Sequence, residues 1–407
     1  MTKYFEVLRR DGPARMGKLL LERQIGTPAM MTRDDLVSAG SIFRYASVEE
    51  AMQAAEALKG QRRLAIMPYA PAVLGFAPAI KLPSMQIDGP KGVVVWPFAT
   101  QTPEAADVYV LASAGCLKNP RDLVSAVVGV RDLTPPDTAL YAPALATPAN
   151  LAFLVYLGVD LLDSTRVVAD GLLGRYHTRD GVWNIGELNE LPCCCEHCRI
   201  LSQRRDDHLQ LVAHNIMKLE EELLAVRVAI RSEVVREYVE RQVRVAPNLT
   251  ACLRVLDHEH LYIERRTPQH RHSILYANTA ESLRRSEVTR FAERVIVRYK
   301  APQSDVLLLL PCSAKKPYST SRSHRLFAEA IGSHRRYLHE VILTSPLALV
   351  PRELEEVYPA ASYDTPVTGR WDLEERAWLQ SCLCAYLKKN KYARIVAHLE
   401  GELEEAV

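Results

Sequence analysis

Four of the nine cysteines in this 407-residue chain fall within six consecutive positions, Cys193-Cys194-Cys195-Glu196-His197-Cys198, and that crowding limits the fold more than any other feature. Cys193, Cys195 and Cys198 form a C-x-C-x-x-C set on a tight turn behind Pro192, where three thiolates can face one point. The other five, Cys116, Cys252, Cys312, Cys382 and Cys384, lie apart, a pattern that points to reduced thiols and a metal rather than to a disulfide framework. Zinc wants a tetrahedron of soft ligands, so a fourth is needed. His214 is the first choice, because it starts an amphipathic helix that would pack against the turn; His197, His208 and Cys194 are its rivals. With four protein ligands the site would be closed and structural.

The chain is 48% hydrophobic and long enough for two or three domains around a large core. It has no run of about 18 uncharged apolar residues, and its N-terminus has early charges with no apolar signal core behind them, so no membrane association and a cytoplasmic location are expected. A net charge of +2, from 51 Lys and Arg against 49 Asp and Glu, gives no global basic field. Locally, residues 261–300 carry nine basic residues against four Glu. Such a segment can follow a phosphate backbone, or simply form a solvated helix face laced with ion pairs.

Through residues 1–190, helical patterns such as 48–58 alternate with short apolar runs at 63–67, 92–96 and 107–112. That rhythm is one of βα units, and its length suits an α/β barrel of the (β/α)8 kind. Residues 206–243 read as helical, with Ile216, Leu219, Leu223, Val226 and Ile230 on one core-facing stripe. A loop-like stretch at 267–272 marks a boundary. The expected division is a barrel over 1–190, a zinc-binding subdomain with closing helices over 191–270, and a second α/β domain over 271–407. In the last, residues 305–310 are nearly continuous in apolar residues, as a strand buried on both faces should be. Further strands are expected at 340–344 and 393–398.

Two stretches carry candidate chemistry. Leu154-Val-Tyr-Leu-Gly-Val-Asp160-Leu-Leu-Asp163-Ser164 reads as a strand ending in two acids, which makes Asp160 a candidate nucleophile or acid/base at the carboxyl end of a barrel strand, or alternatively a helix cap or ion-pair partner. After the apolar strand, residues 312–324 bring together a thiol (Cys312), two ammonium groups (Lys315, Lys316), a phenol (Tyr318), several hydroxyls including Ser321, and an imidazole (His324). A helix expected at 323–331 would begin there with free backbone N–H groups, and open α/β sheets bind ligands at such strand ends.

Gly158-Val-Asp-Leu-Leu-Asp-Ser, Gly174-Arg-Tyr-His-Thr, Pro192-Cys-Cys-Cys-Glu-His-Cys and His214-Asn215 resemble consecutive signatures of the archaeal tRNA-guanine transglycosylases. The resemblance implies Asp160 as nucleophile and Cys193, Cys195, Cys198 and His214 as zinc ligands. It departs at Val110-Leu-Ala-Ser-Ala-Gly-Cys-Leu-Lys-Asn-Pro120, where the family's second, acid/base Asp is missing, so Asp160 is expected to be vestigial and the barrel a tRNA-docking scaffold. The pattern Pro-Cys-x3-Lys-Pro-Tyr-x2-Ser-x2-His, filled by Pro311, Cys312, Lys316, Pro317, Tyr318, Ser321 and His324, resembles the hallmark of the archaeosine synthase family. Thr344-Ser-Pro-Leu, Val350-Pro-Arg-Glu-Leu and Tyr363-Asp-x-Pro-Val-Thr-Gly369 extend that likeness, which runs over essentially the whole chain.

This second resemblance implies a tRNA-modifying transferase that adds the side-chain amine of free lysine to the nitrile of 7-cyano-7-deazaguanine (preQ0) in tRNA. Its implied site is Cys312, Lys316, Tyr318, Ser321 and His324. His324 would accept the proton, Lys316 and Tyr318 would stabilise charge on the nitrile nitrogen, and Cys312 would either form a covalent thioimide or merely pack. The implied partners are preQ0-tRNA, lysine and a radical S-adenosylmethionine enzyme that cleaves the adduct. A tRNA-gripping PUA domain, present in many members, is not seen in the sequence and is expected either to be absent or to come from a separate polypeptide; a homodimer is expected by analogy. The competing readings are a transglycosylase that inserts preQ0 and a non-catalytic tRNA-binding subunit of an archaeosine synthase complex.

Overall fold

The computed structural model describes residues 2–70, 82–367, 370–399 and 401–405. Thr368 and Gly369 of the last quoted motif lie outside the described residues. The chain divides into two compact units, Met1–Arg266 and Thr267–Val407. Among the described residues no helix is long and apolar enough to cross a membrane.

The first unit does not begin with a βα repeat. Its first strands, β1 (Phe5–Asp11), β2 (Ala14–Leu20) and β3 (Gln24–Thr27), form an antiparallel sheet in that order. The turn between β1 and β2 needs Gly12, whose φ of +62° is costly for any side chain and whose added Cβ would meet the Tyr156 ring at 3.0 Å. The expected rhythm starts afterwards. Strands β4 (Ala29–Met30), β5 (Leu36–Ser38), β6 (Leu64–Ile66), β7 (Lys91–Val95), β8 (Val108–Leu111), β9 (Ala139–Tyr141) and β10 (Leu161–Leu162) pair in the order β4-β10-β9-β8-β7-β6-β5, every pair parallel. With the helices α1 (Val48–Glu56), α2 (Pro120–Leu133), α3 (Leu151–Leu157) and α4 (Thr165–Leu172), this is an α/β sheet of the (β/α)8-like kind that the sequence implied. Its strands are apolar because parallel sheets are covered on both faces.

The stretch read as a strand from Leu154 is instead helix α3, all seven residues of which are buried. Gly158, at φ +113°, ends it in a left-handed cap. A segment buried on every side has no polar face, so its pattern cannot separate helix from strand. The consequence is positional: Asp160 precedes β10 and stands at its amino end, while Asp163 follows at the carboxyl end.

A hairpin of β11 (Arg175–Thr178) and β12 (Gly181–Asn184) leads to α5 (Glu196–Leu201) and the long α6 (His208–Arg231), which packs along α3, α4 and α5. On α6 the residues Leu219, Leu223, Val226 and Ile230 are buried in the core, with Ile216 packed at its edge. Helices α7 (Val235–Gln242), α8 (Pro247–Asp257) and α9 (His260–Arg266) close the unit.

The second unit is built on β14 (Val306–Pro311), β15 (Leu338–Thr344), β16 (Ala348–Pro351) and β18 (Arg394–Ala397), ordered β16-β15-β14-β18, with β14 parallel to both neighbours and β16 antiparallel. A separate parallel pair joins β13 (Leu275–Tyr276) to β17 (Tyr363–Asp364). Helices α10 (Ser286–Val297), α11 (Arg322–Ile331) and α12 (Leu373–Lys389) accompany them. Much of the basic excess at 261–300 is spent internally: Arg271 and Arg285 reach Glu287 at 3.3 and 2.9 Å, and Arg290 donates to the carbonyls of Thr267 and Pro268 at 3.2 and 3.1 Å.

Burial by itself would raise the Glu287 carboxyl, but Arg285 and Arg271 overcome it and hold the group at about 2, below its ordinary 4.5. The folded state therefore binds this proton less readily than the unfolded chain. The stabilisation is complete above about pH 4.5 and is lost as pH falls towards 2. Glu287→Ala removes the buried carboxylate that Arg271 and Arg285 share and should cost about 3–5 kcal/mol at neutral pH in denaturant unfolding; a loss below about 1 kcal/mol would show the cluster to be dispensable.

Candidate functional site

Three constellations carry chemistry, and the first is the cysteine turn. Cys195 caps α5, its Sγ accepting the Cys198 N–H at 3.3 Å, and this brings the thiols of the turn onto one side. The ligand atoms of Cys193, Cys195, Cys198 and His214 all lie within 4.8 Å of one another. Nδ1 of His214 is 3.2 Å from the Cys198 Sγ and 3.5 Å from that of Cys195. A tetrahedral zinc with bonds of about 2.3 Å separates its sulfur ligands by about 3.8 Å, so the four donors fit one such ion with small movements.

The support around His214 fits the same purpose. Its Nε2–H donates to the His177 carbonyl at 2.9 Å, which leaves the Nδ1 lone pair facing the thiols, and its ring stacks on Tyr176 at 4.2 Å. Asn215 clamps α6 to β11 by accepting the His177 N–H at 2.9 Å and donating to the carbonyls of Arg175 and Val167 at 2.9 and 3.2 Å. The rivals are engaged elsewhere: His197 bonds Gln210, His208 bonds the Gly171 carbonyl, and Cys194 is exposed.

Asp160 does not line an open barrel mouth. It is 1% exposed, and its carboxylate accepts Nε and Nη2 of Arg15, both at 2.6 Å, and the Leu140 N–H at 2.8 Å, with Arg131 at 4.0 Å. Burial would raise its pKa; Arg15, Arg131 and the backbone donor together bring it below the ordinary carboxylate range. The expected nucleophile is thus a sealed counter-ion. Asp163, at the strand's carboxyl end, is also saturated, accepting Tyr141 O–H at 2.7 Å and the N–H groups of Ala144 and Thr165 at 3.1 and 2.8 Å.

The third constellation is the segment 312–324, which leaves the carboxyl end of β14 and enters α11. Ser321 caps that helix, its Oγ accepting the His324 N–H at 3.2 Å. His324 is 2% exposed and spent at both nitrogens: Nε2–H donates to the Pro311 carbonyl at 3.0 Å, and Nδ1 accepts from Arg352 Nη2 at 2.9 Å. Burial, with Arg352 beside it, pushes its pKa down to about 4, so the ring is neutral and locked. It has no lone pair left for a substrate proton, contrary to the acceptor role expected of it. Arg352 also reaches Glu340 at 2.8 Å and Glu355 at 2.9 Å, and Glu355 in turn accepts the Ser319 N–H at 2.9 Å.

Tyr318 is fully buried, its hydroxyl bonded to that of Tyr363, which also bonds Thr344 Oγ1. It therefore braces the loop and does not face a substrate, as sequence reading had it. Cys312 and Lys316 remain half-buried and accessible. The Lys316 ammonium lies 4.1 Å from the Tyr363 ring centroid, and burial lowers its pKa despite the opposing pull of Cys312 and Asp364. Sequence reading missed the bracing role of Arg352, Glu340, Glu355, Thr344 and Tyr363. Three of these sit inside the motifs quoted above, which was the available signal; Glu340 and Glu355 carried none.

A parallel barrel sheet followed by a Cys3His turn defines a class, and residues 98–248 match the family model described as queuine tRNA-ribosyltransferase. Residues 288–407 match a model described as a domain of unknown function, DUF5591. The chain is 43% identical to the archaeosine synthase subunit alpha of Methanosarcina acetivorans, across 100% of this chain and 69% of that protein. It is 40% identical to the archaeosine synthase of Haloferax volcanii, across 98% of this chain and 67% of that protein. The chain belongs to the archaeosine synthase family. The tRNA-guanine(15) transglycosylase of Methanobrevibacter smithii is more distant, 26% identical across 72% of this chain and 46% of that protein.

Elemental analysis of the purified protein should find close to one equivalent of metal, and Cys198→Ser should lose it together with cooperative melting of the first unit. Full metal retention and unchanged melting in that variant would overturn the assignment.

Proposed function

We propose that the protein modifies tRNA in archaeosine biosynthesis, joining the side-chain amine of free lysine to the nitrile carbon of a preQ0 base already installed in tRNA. Relatives named archaeosine synthase, at 43% and 40% identity, support this reading. The observation that carries it is the half-buried Lys316 amine beside Cys312, held at the carboxyl end of β14 by the Arg352 network.

In the addition, the amine nitrogen bonds to the nitrile carbon and one carbon–nitrogen π bond breaks, its electron pair going to the nitrile nitrogen. One proton leaves the amine and one arrives at that nitrogen. The product is an amidine, and nothing is oxidised or reduced. Free lysine, with a side-chain pKa of about 10.4, is protonated near neutral pH and must lose a proton before it attacks. The amine of Lys316, whose pKa burial lowers, is the group that relays the proton from the attacking lysine to the nitrile nitrogen. Ser321, Tyr318 and His324 position that amine, and the barrel, its acids already paired, acts as a tRNA-docking scaffold.

The Cys193, Cys195, Cys198 and His214 set would hold a Zn2+ in a structural role, its four protein donors leaving no position for chemistry. The adduct is then cleaved by a radical S-adenosylmethionine enzyme, and the name "subunit alpha" carried by one relative supports assembly with further polypeptides.

The test is nucleoside mass spectrometry of preQ0-tRNA incubated with the protein and isotope-labelled lysine. Wild-type protein should yield a labelled adduct, Lys316→Ala should lower its rate by about 10²–10⁴-fold, and Arg352→Lys by about tenfold or more through misplacement of the loop. Cys312→Ser should leave turnover near normal if lysine attacks directly, and abolish it if a thioimide forms first. Exchange of free base into tRNA with no lysine adduct would restore the transglycosylase reading.

A further inference from the structure

The mechanism above leaves unused a cavity of about 420 Å3 in the second unit. It opens beyond the carboxyl ends of three strands. Asn278 lies beyond β13, Ser345 beyond β15 and Thr365 beyond β17, while Arg370, Trp371, Asp372 and Glu375 come from the approach to α12 and its first turn. The volume is that of a site for one small molecule. Its position ties it to the loop after β14: of the hydroxyl partners behind Tyr318, Thr344 directly precedes the cavity residue Ser345, and Tyr363 lies two residues before the cavity residue Thr365. The Tyr363 ring carries the Lys316 ammonium on its face.

The polar groups in the cavity are already oriented. Asp372 and Glu375 form a reciprocal cap, each accepting the other's backbone N–H, at 2.8 Å for Asp372 Oδ1 and 2.9 Å for Glu375 Oε2. The second oxygen of Glu375 accepts the Ser345 hydroxyl at 2.5 Å, and the Trp378 indole N–H fixes the adjacent wall by donating to the Pro346 carbonyl at 2.8 Å. The carboxylates thus lose little freedom on meeting a ligand. One guanidinium against two carboxylates gives the lining a negative excess, which repels an RNA backbone and suits a small zwitterion bearing an additional ammonium group.

We propose that this cavity binds the amine donor, a free diamino acid, with its α-carboxylate on Arg370 and its α-ammonium between Asp372 and Glu375. That orientation leaves the side chain to run past Thr365 towards Tyr363 and Lys316, where the attacking amine is needed. The assignment rests on the lysine-addition reading and names the place where that reading puts its co-substrate.

The experiment uses the whole chain with preQ0-tRNA and labelled L-lysine, and measures the KM for each substrate in Arg370→Gln and Glu375→Gln. Arg370 is exposed, so its variant should fold normally; circular dichroism checks the cap of α12 in the other. Each variant should raise the KM for lysine tenfold or more while the KM for tRNA stays near wild type. A working wild-type enzyme whose lysine KM is unchanged in both variants overturns the proposal, as does a rise in the tRNA KM alone, which would make the cavity a nucleotide site. If the wild-type protein forms no adduct at all, the lysine-addition reading fails by itself. Trp371 fluorescence then decides the cavity: quenching by L-lysine that Arg370→Gln removes supports the site, and no quenching overturns it.

Discussion

One guanidinium fixes the reactive end of the second unit. Arg352 bridges two carboxylates on separate parts of the chain, Glu340 in β15 and Glu355, and also donates to the ring of His324 at the start of α11. Each bond removes a freedom from the loop between β14 and α11. His324 holds the carbonyl of Pro311, where the loop departs, and Glu355 holds the amide of Ser319 in its middle. A planar fork with several donors can do this from one position, whereas the point charge of a lysine cannot. Removing it would take the shared cation from two buried carboxylates, leaving Glu340 with Arg335 and Glu355 with the Ser319 amide, and such a loss costs more than the intact pair contributes.

The loop so held is why a single amine can be desolvated without being neutralised by an acid. The Lys316 ammonium has the face of Tyr363 as its near neighbour, with Asp364 and Cys312 acting on it only through space. A salt bridge there would raise its pKa and remove it from proton transfer. The first unit shows that opposite case: Asp160 is deeply buried but bidentate to Arg15, an arrangement that keeps its charge and spends its lone pairs. Burial makes a group reactive only where no partner compensates it, and on that criterion the second unit is where the proposed chemistry falls.

What could be read in the sequence was what depends on near neighbours. The Cys193–Cys198 spacing and the helical stripe of α6 are local, and both the metal set and the buried face formed from them. The parallel strands were legible as apolar runs. Helix α3 was not, because a run without a polar side fits either period, and the misreading placed Asp160 at the wrong end of β10. The antiparallel β1–β3 sheet was lost in the βα rhythm that follows it. His324 was identified as a residue that matters, but its role depended on Arg352, 28 residues further on, and no local pattern reports which nitrogen such a partner occupies.

The basic segment 261–300 makes the same point for charge. Counted along the chain it is a cationic stretch, yet Arg271, Arg285 and Arg290 are internal fasteners, and the solvent meets mainly Arg265, Arg294, Arg298 and Lys300. Charge density in sequence becomes field only after the folded chain has consumed its own pairs. In the second unit that consumption is uneven. Positive charge is tied down around Glu287, while at the carboxyl ends of β13 and β17 the Asp372 and Glu375 carboxylates are held by backbone amides and a hydroxyl, which orient them without cancelling their charge. An ammonium group arriving from solution is the complement that such an arrangement leaves open.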